Sequence, residues 1–432
     1  MKIEEIVTRI DKAVYGGYGL GHFFDKVVLI PKTIPGETVK VEIIDDKKDY
    51  LLGKVVGFIK SSTFRRNPPC PYYSQCGGCH YQHIEYNYQT KIKEDIVKET
   101  FKRVGGIEDI EVNSMITSPS EFGYRNRVEL KVTRKVQKNE PYLGFYMENS
   151  HKIVPIARCL LCGNRINELI EALNFYSPIV FKKNCENLKL IYSASSDKLL
   201  LKAIGKNLNK RTMENALNDL KKYVKGISGI VFGYGNKKNS FGKEYVYERI
   251  KDIKYRVNSD SFFQINNLLH EVLLETVIKI FKPKKKEKIL DLYSGVGTFS
   301  LPLAQKSSIV VGIESNKDAV DDAKFNAKSN KITNISFIEG DAAEELEGAL
   351  KKTKFDSIFI NPPRSGCSTE VKKILSKAEV SKIFYLSCNP STLARDLKQF
   401  LSKGFKIKTV QPFDLFPQTM HIETAVLLSR ES

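Results

Sequence analysis

Glu287-Lys288-Ile289-Leu290-Asp291-Leu292-Tyr293-Ser294-Gly295-Val296-Gly297-Thr298-Phe299-Ser300 reads as a strand that runs into a two-glycine turn and then into the start of a helix. Strand-like segments recur downstream at 308–313, 335–338, 356–360, 382–387 and 424–428, with helix-forming stretches between them. This alternation over residues 262–432 predicts a doubly wound, mostly parallel sheet, an α/β Rossmann-like domain. Ligands of such sheets sit beyond the carboxyl ends of the strands, so the residues just after each strand are the candidates.

Two glycines after the first strand let the backbone approach a ligand closely. The third glycine of the dinucleotide fingerprint is missing, which argues against NAD and FAD. Glu314 closes the second strand, where a carboxylate can accept hydrogen bonds from both hydroxyls of a ribose. Asp341 closes the third. Together these positions predict an S-adenosylmethionine pocket, with ribose on Glu314, adenine near Asp341 and the amino-acid end over the loop at Gly295.

After the fourth strand stands Asn361-Pro362-Pro363-Arg364-Ser365-Gly366, and after the fifth Ser387-Cys388-Asn389-Pro390. Cys388 is thus presented at the cofactor edge, where a helix beginning near Pro390 is expected to lower its pKa and raise the thiolate fraction. Phe416-Pro417-Gln418-Thr419-Met420-His421-Ile422-Glu423 leads into the last strand and offers a carboxylate. Asn-Pro-Pro is also a signature of methyltransferases acting on amino groups. Those enzymes usually carry an aromatic residue where this chain has Arg364, and they need neither the cysteine nor the glutamate.

At 432 residues the chain has room for two or three domains at roughly 150 residues each. Its 69 Lys and Arg against 50 Asp and Glu give a net charge of +19, which points to a polyanionic partner, RNA above all. Residues 111–260 carry 27 basic and 15 acidic side chains, so most of the surplus lies in the middle of the chain. That segment is the expected phosphate platform; a merely lysine-rich surface is the plain alternative. No apolar run approaches the roughly 20 residues of a membrane span, and the first five residues lack a signal peptide's apolar core. The expectation is a cytoplasmic protein without membrane contact and without an obligate protein partner.

Residues 1–60 alternate short β-branched runs with turn signals, the pattern of a small all-β barrel. Gly16-Gly17-Tyr18-Gly19-Leu20-Gly21 has no long helix after it and reads as a hairpin bend. Through Gly17-Tyr18-Gly19, Val28-Leu29-Ile30-Pro31 and Ile34-Pro35-Gly36-Glu37-Thr38-Val39 the segment resembles a TRAM domain, an RNA-binding barrel. Residues 61–261 hold a cysteine-rich loop at 70–83, a helical stretch at 88–104 that could pack on the catalytic domain, and an α+β central domain with helices near 162–176 and 207–223.

The whole chain resembles the RNA uracil-C5 methyltransferases, which make 5-methyluridine in tRNA and ribosomal RNA. The motifs are Ser261-Phe262-Phe263-Gln264-Ile265-Asn266, the Asp291 glycine loop, Ser387-Cys388-Asn389-Pro390 with Ala394-Arg395-Asp396, and Phe416-Pro417 with His421-Ile422-Glu423. The resemblance implies that Cys388 is the nucleophile and Glu423 the proton acceptor, and that Gln264, Tyr293, Thr298, Glu314 and Asn361 contact cofactor or base. The family usually has Asp where this chain has Asn361. That departure keeps open the amino-group reading and a non-catalytic RNA-binding factor.

Three of the eight cysteines, Cys70, Cys76 and Cys79, fall within ten residues, as metal sites in reducing compartments do. Zinc and an iron-sulfur cluster are not separable from this spacing, and His80 or His83 could complete a zinc site. A radical enzyme carrying a TRAM barrel would show a different first spacing, C-x3-C. The family resemblance implies a 4Fe-4S cluster on Cys70, Cys76, Cys79 and Cys159, with Cys162 in reserve. It also narrows the expected substrate towards 23S ribosomal RNA, with tRNA as the alternative.

Overall fold

The computed structural model describes residues 5–133, 142–175, 181, 184–235 and 237–430; the outermost residues of the expected end domains, and residue 176 of the expected helix, lie outside these. β1 (Glu5–Arg9), β2 (Lys12–Val14), β3 (Tyr18–Phe23), β4 (Lys26–Pro31), β5 (Thr38–Asp46) and β6 (Tyr50–Lys60) form one six-stranded sheet, ordered β1-β5-β6-β4-β3-β2. The period of two along these strands brings Ile6, Val28, Ile30, Val39, Val41 and Leu51 into one core. Irregularities in the β5–β6 register bend the two long strands, as curling a sheet requires.

α1 (Tyr86–Thr100) follows the cysteine loop and widens into a short π-helical turn. The central domain has β7 (Arg127–Val132), β8 (Leu143–Tyr146), β9 (Ile153–Pro155), α2 (Asn164–Phe175), β10 (Asn187–Ser193), β11 (Lys198–Ile204), α3 (Lys210–Tyr223), β12 (Ile227–Tyr234) and β13 (Lys237–Gly242). Its strands make one sheet, β13-β12-β11-β10-β7-β8-β9. Ile166, Leu169 and Leu173 of α2 and Met213, Leu217 and Leu220 of α3 pack on its Leu188, Leu190 and Leu201.

A hairpin follows, β14 (Tyr245–Ile250) and β15 (Ile253–Asn258), and then the catalytic domain. That domain contains α4 (His270–Phe281), β16 (Lys288–Leu292), α5 (Ser300–Ala304), β17 (Ile309–Glu314), α6 (Lys317–Ser329), β18 (Ile335–Glu339), α7 (Ala342–Lys352), β19 (Ser357–Ile360), α8 (Thr369–Lys377), β20 (Lys382–Ser387), α9 (Pro390–Leu401), β21 (Lys406–Phe413) and β22 (Glu423–Ser429). Its sheet runs β18-β17-β16-β19-β20-β22-β21, parallel throughout except for β22, which opposes both neighbours. The strand order reverses between β16 and β19, the crevice where ligands of doubly wound sheets bind. Among the described residues no helix is long and apolar enough to cross a membrane.

Three features refine the sequence reading. β21 is absent from it because Pro412 and the polar positions Lys406 and Lys408 disguise an edge strand, where both are tolerated. α1 buries Ile92, Ile96, Val97 and Phe101 in the core that holds Leu393, Leu397 and Ile383, so the helix packs with the catalytic sheet. The β14–β15 hairpin likewise buries Val246, Ile250, Tyr255 and Val257 against Phe299, Val320 and Ala323. By packing, the catalytic unit therefore begins before residue 262.

Candidate active site

β16 ends at Leu292, and the chain turns through Tyr293 (φ 63°), Gly295 (φ 54°) and Gly297 (φ 83°). A left-handed backbone costs a tyrosine about 1–3 kcal/mol, so Tyr293 must be held there. Its N–H donates to the Ile313 carbonyl at 2.9 Å, and its hydroxyl meets the Cys367 thiol. A Cβ on Gly297 would stand 2.2 Å from Leu301 Cδ1, whereas one on Gly295 would meet nothing within 4 Å. Gly295 thus leaves open space above the loop.

Glu314, at the end of β17, accepts the N–H of Gly295 at Oε2 (3.0 Å) and that of Asn316 at Oε1 (2.7 Å). Oε2 keeps a lone pair for a ribose hydroxyl, while Oε1 shares its second with the Ser315 hydroxyl at 3.5 Å. Asp341 caps α7, accepting from Ala343 N–H at 2.8 Å, and stays exposed. Gln264 is buried in the segment before α4, where its carbonyl accepts from His270 Nε2 at 2.8 Å. The Thr298 carbonyl accepts from the Tyr255 hydroxyl at 3.1 Å. Asn361 follows β19 with its N–H on the Leu292 carbonyl at 3.2 Å.

Two groups beyond the sequence selection fit the same ligand. Asp291 is buried, with Oδ2 on the Ser300 hydroxyl and Oδ1 without a partner among the described residues. Burial pushes its carboxyl up to about 7. Ser294 Oγ is also buried and unpartnered. Buried polar atoms are normally satisfied, so two orphans in one glycine loop fit a cationic, hydrogen-bonding molecule such as the amino-acid end of S-adenosylmethionine. Position on a strand end, not residue type alone, was the signal available for Asp291.

The two candidate reacting groups meet through strand register. β20 and β22 are antiparallel, with Ser387 opposite Thr424. Cys388 follows and Glu423 precedes that last pair, and the two are close enough for the Glu423 charge to act on the Cys388 thiol. Glu423 is buried, and burial raises its carboxyl to about 8 despite the pull of Arg364.

Cys388 departs from expectation. Burial, and then the Glu423 charge, push its thiol up to about 11, against the lowering influence of Arg364, which hydrogen-bonds to it. The helix start cannot compensate, because Asn389 Oδ1 already accepts the Ser391 and Thr392 N–H groups at 3.0 and 3.4 Å. Arg364 also lies 3.2 Å from His421 Nε2, and burial followed by Arg364 drives that imidazole down to about 3. The edge therefore holds a protonated thiol, a carboxyl poised near neutrality, a neutral imidazole and one guanidinium.

Cys70, Cys76, Cys79 and Cys159 line one cavity of about 60 Å³ together with Tyr72, Gln82 and the buried Arg125. His80, His83 and Cys162 do not line it. His83 Nδ1 is engaged at 2.7 Å with the Tyr73 hydroxyl, and the Cys162 thiol donates to Cys159. Among the described residues no three His, Cys, Asp or Glu side chains are close enough together to hold one metal ion. Arg125 Nε is buried beside this cavity without a partner among the described residues. The loop is tied to the active edge, because the His80 and Tyr81 N–H groups both donate to the Gln418 carbonyl at 2.8 and 3.0 Å.

A parallel sheet with one reversed strand, and a glycine loop answered by a carboxylate on the next strand, defines an S-adenosylmethionine-dependent methyltransferase. Residues 85–431 match the model of the tRNA (uracil-5-)-methyltransferase family, and residues 4–56 match that of the TRAM domain. The chain belongs to this uracil-5 methyltransferase family and is an RNA methyltransferase. It is 36% identical to an uncharacterized RNA methyltransferase of Aquifex aeolicus, over 99% of each chain. A second such relative, from Caldanaerobacter subterraneus, is 33% identical over 99% of this chain and 98% of its own. Among solved structures, the Pyrococcus abyssi tRNA (uracil-54, C5)-methyltransferase in complex with S-adenosyl-L-homocysteine aligns with a TM-score of 0.75 and 27% identity, over 98% of this chain and 99% of that one. The family acts on uracil and not on amino groups, which sets the Asn-Pro-Pro reading aside.

Proposed function

We propose that the protein methylates carbon 5 of a uridine in RNA through a covalent bond between Cys388 and carbon 6. The observation that carries this reading is that β20 runs out at Ser387, paired with Thr424, so that Cys388 and Glu423 directly follow and precede the same pair, with the Glu423 charge acting on the Cys388 thiol. Carbon 5 of uracil is a poor nucleophile. Addition of the Cys388 thiolate to carbon 6 turns the ring into an enolate whose carbon 5 can react. Bound S-adenosylmethionine, held by Glu314, Asp291, Gly295, Tyr293, Gln264 and Thr298, supplies the electrophilic methyl group. Glu423 then takes the carbon 5 proton, and the released electron pair re-forms the double bond and expels the sulfur. Arg364 pairs with the thiolate, offsetting the burial that keeps it protonated. Asn361 contributes an amide where a carboxylate is usual and is assigned to the base or the cofactor.

The target base must leave its stack to reach Cys388, which assigns clamping to the barrel and to the basic central domain. The four-cysteine cavity is assigned a 4Fe-4S cluster with a structural role, zinc being the alternative. Cytoplasmic 23S ribosomal RNA is the proposed substrate, supported by the cysteine loop. The likeness to a tRNA enzyme supports tRNA as the second reading.

RNA carrying 5-fluorouridine tests the chemistry, since fluorine cannot leave as a proton does. Wild type is expected to give an adduct that survives SDS, and Cys388→Ala none. No adduct from wild type that binds cofactor would sink the covalent reading. Mass spectrometry of 5-methyluridine in ribosomal and transfer RNA, from cells with and without the gene, decides the substrate.

A further inference from the structure

The barrel does more than sit beside the catalytic domain. β2 and β3 are joined through Tyr15-Gly16-Gly17, with Val14 opposite Tyr18. Gly16 (φ 112°) and Gly17 (φ 87°) take backbone conformations closed to other residues, so the connection is a tight turn. That turn is wedged against the cysteine loop: a Cβ on Gly17 would come within 2.8 Å of His80 Cδ2. Lys12, at the start of β2, is ion-paired with Glu99 of α1. Ala13 and Tyr15 pack on the core that also contains Ile383, Leu393 and Ile422 of the catalytic domain. The hairpin tip is therefore fixed by the cysteine loop, by α1 and by the core of the catalytic domain.

Tyr15 is half-buried there, and its hydroxyl has no hydrogen-bond partner among the described residues. Cys388, Arg364 and Glu423 all lie within electrostatic reach of it. Burial, then Cys388, raise its pKa to about 12, so the phenol stays protonated and can donate. The neighbouring Gly16 lines one cavity with His80 and Met420, so a different domain brings a phenolic donor to the segment that carries His421 and Glu423. Such a donor has one use in the reaction described above: addition of sulfur to carbon 6 drives negative charge onto a ring carbonyl oxygen.

We propose that Tyr15 is a substrate-contacting catalytic residue whose hydroxyl donates to the uracil oxygen that becomes negative when Cys388 adds, so that the barrel completes the active site. The assignment rests on the covalent reading of Cys388. Preorganised donors of this kind typically contribute on the order of 10²–10³ in rate. The proton stays on the phenol throughout; no bond to Tyr15 forms or breaks.

The test is the rate of SDS-stable adduct formation on 5-fluorouridine RNA by wild type, Tyr15→Phe and Tyr15→Ala in the full-length protein. RNA affinity and S-adenosylhomocysteine affinity are measured in parallel. Tyr15→Phe keeps the ring and its packing, and should slow the adduct by at least tenfold while both affinities stay within about twofold of wild type. Tyr15→Phe at the wild-type rate overturns the proposal even if Tyr15→Ala is slow, because packing alone would then explain the site. Loss of S-adenosylhomocysteine binding with an unchanged adduct rate overturns it too, by moving the hydroxyl to the cofactor. An inactive wild type would instead sink the covalent reading itself, so the two failures are told apart.

Discussion

Lys93 Nζ lies 2.7 Å from Asp414 Oδ1, and neither side chain reaches solvent. The same ammonium donates to the Phe416 carbonyl at 3.1 Å. Through this one cation α1 grips the segment that leads to His421 and Glu423. Removing one partner of such a pair strands a buried charge and costs about 3–5 kcal/mol, whereas replacing both with apolar groups is often neutral. Lys93→Met is expected to lose that much in urea unfolding with an unchanged m-value. Lys93→Met/Asp414→Leu should regain most of it, and equal losses in both would show that the backbone contact at Phe416 matters more than the charges.

The raised thiol of Cys388 sets the pH dependence of adduct formation. Below its pKa the thiolate fraction grows about tenfold per pH unit. With the thiol at about 11, the adduct rate on 5-fluorouridine RNA should climb from pH 7 to pH 9 without levelling. A plateau already at pH 7 would mean that bound RNA lowers the thiol pKa by several units.

Glu423→Gln should permit methyl transfer yet block release, leaving methylated RNA linked to protein on denaturing gels. The same variant has a stability signature. Burial raises the carboxyl to about 8 in the folded protein, from about 4.3 in the unfolded chain. As pH rises between these values the unfolded chain gives up a proton that the folded one retains, so wild type loses stability. The Tm advantage of Glu423→Gln should therefore widen from pH 5 to pH 8 and stay constant above. Free methylated product would move the base role elsewhere.

Glu314→Ala removes the acceptor of two backbone N–H groups and the expected ribose ligand together. S-adenosylhomocysteine should bind at least tenfold more weakly by calorimetry, at about 1.4 kcal/mol per tenfold. Asp341→Ala, which removes an exposed helix cap and the expected neighbour of the adenine, should cost the helix about 1 kcal/mol and weaken binding less than Glu314→Ala.

Protein purified without oxygen should contain iron and acid-labile sulfide, and one zinc without sulfide would replace the cluster assignment. Stripping the group with a chelator should slow adduct formation more than it weakens RNA binding. The reason is Gln418, which takes the His80 and Tyr81 N–H groups while its own side chain meets Gln89, Arg66 and Glu121. An untouched adduct rate would detach the cysteine loop from the active edge.

Glu314, Asn361 and Cys388 were legible in the sequence because a doubly wound sheet puts every strand end on one edge, and strand ends can be counted from periodicity; Asp291, one position before such an end, was passed over. Pairings across long stretches of chain were not. Lys93 and Asp414 are each ordinary until burial joins them, and Tyr15 is one aromatic in a glycine-rich turn. The thiol pKa was misjudged for a related reason: Asn389 announces a helix cap, but only coordinates show the cap consuming the donors and burial outweighing the dipole. β21 hid behind Pro412, which marks an edge as readily as a break.

The reversed direction of β22 has a consequence for how such chemistry can arise. A uniformly parallel sheet offers its bottom rim only strand beginnings and its top rim only strand endings, so facing side chains there must be recruited from loops. One inverted strand plants a beginning among endings, and two residues far apart in the chain meet at the end of a single ladder. Their approach is then set by the pairing of the strands that carry them, leaving the connections around α9 free to lengthen, shorten or acquire new contacts without detuning the pair.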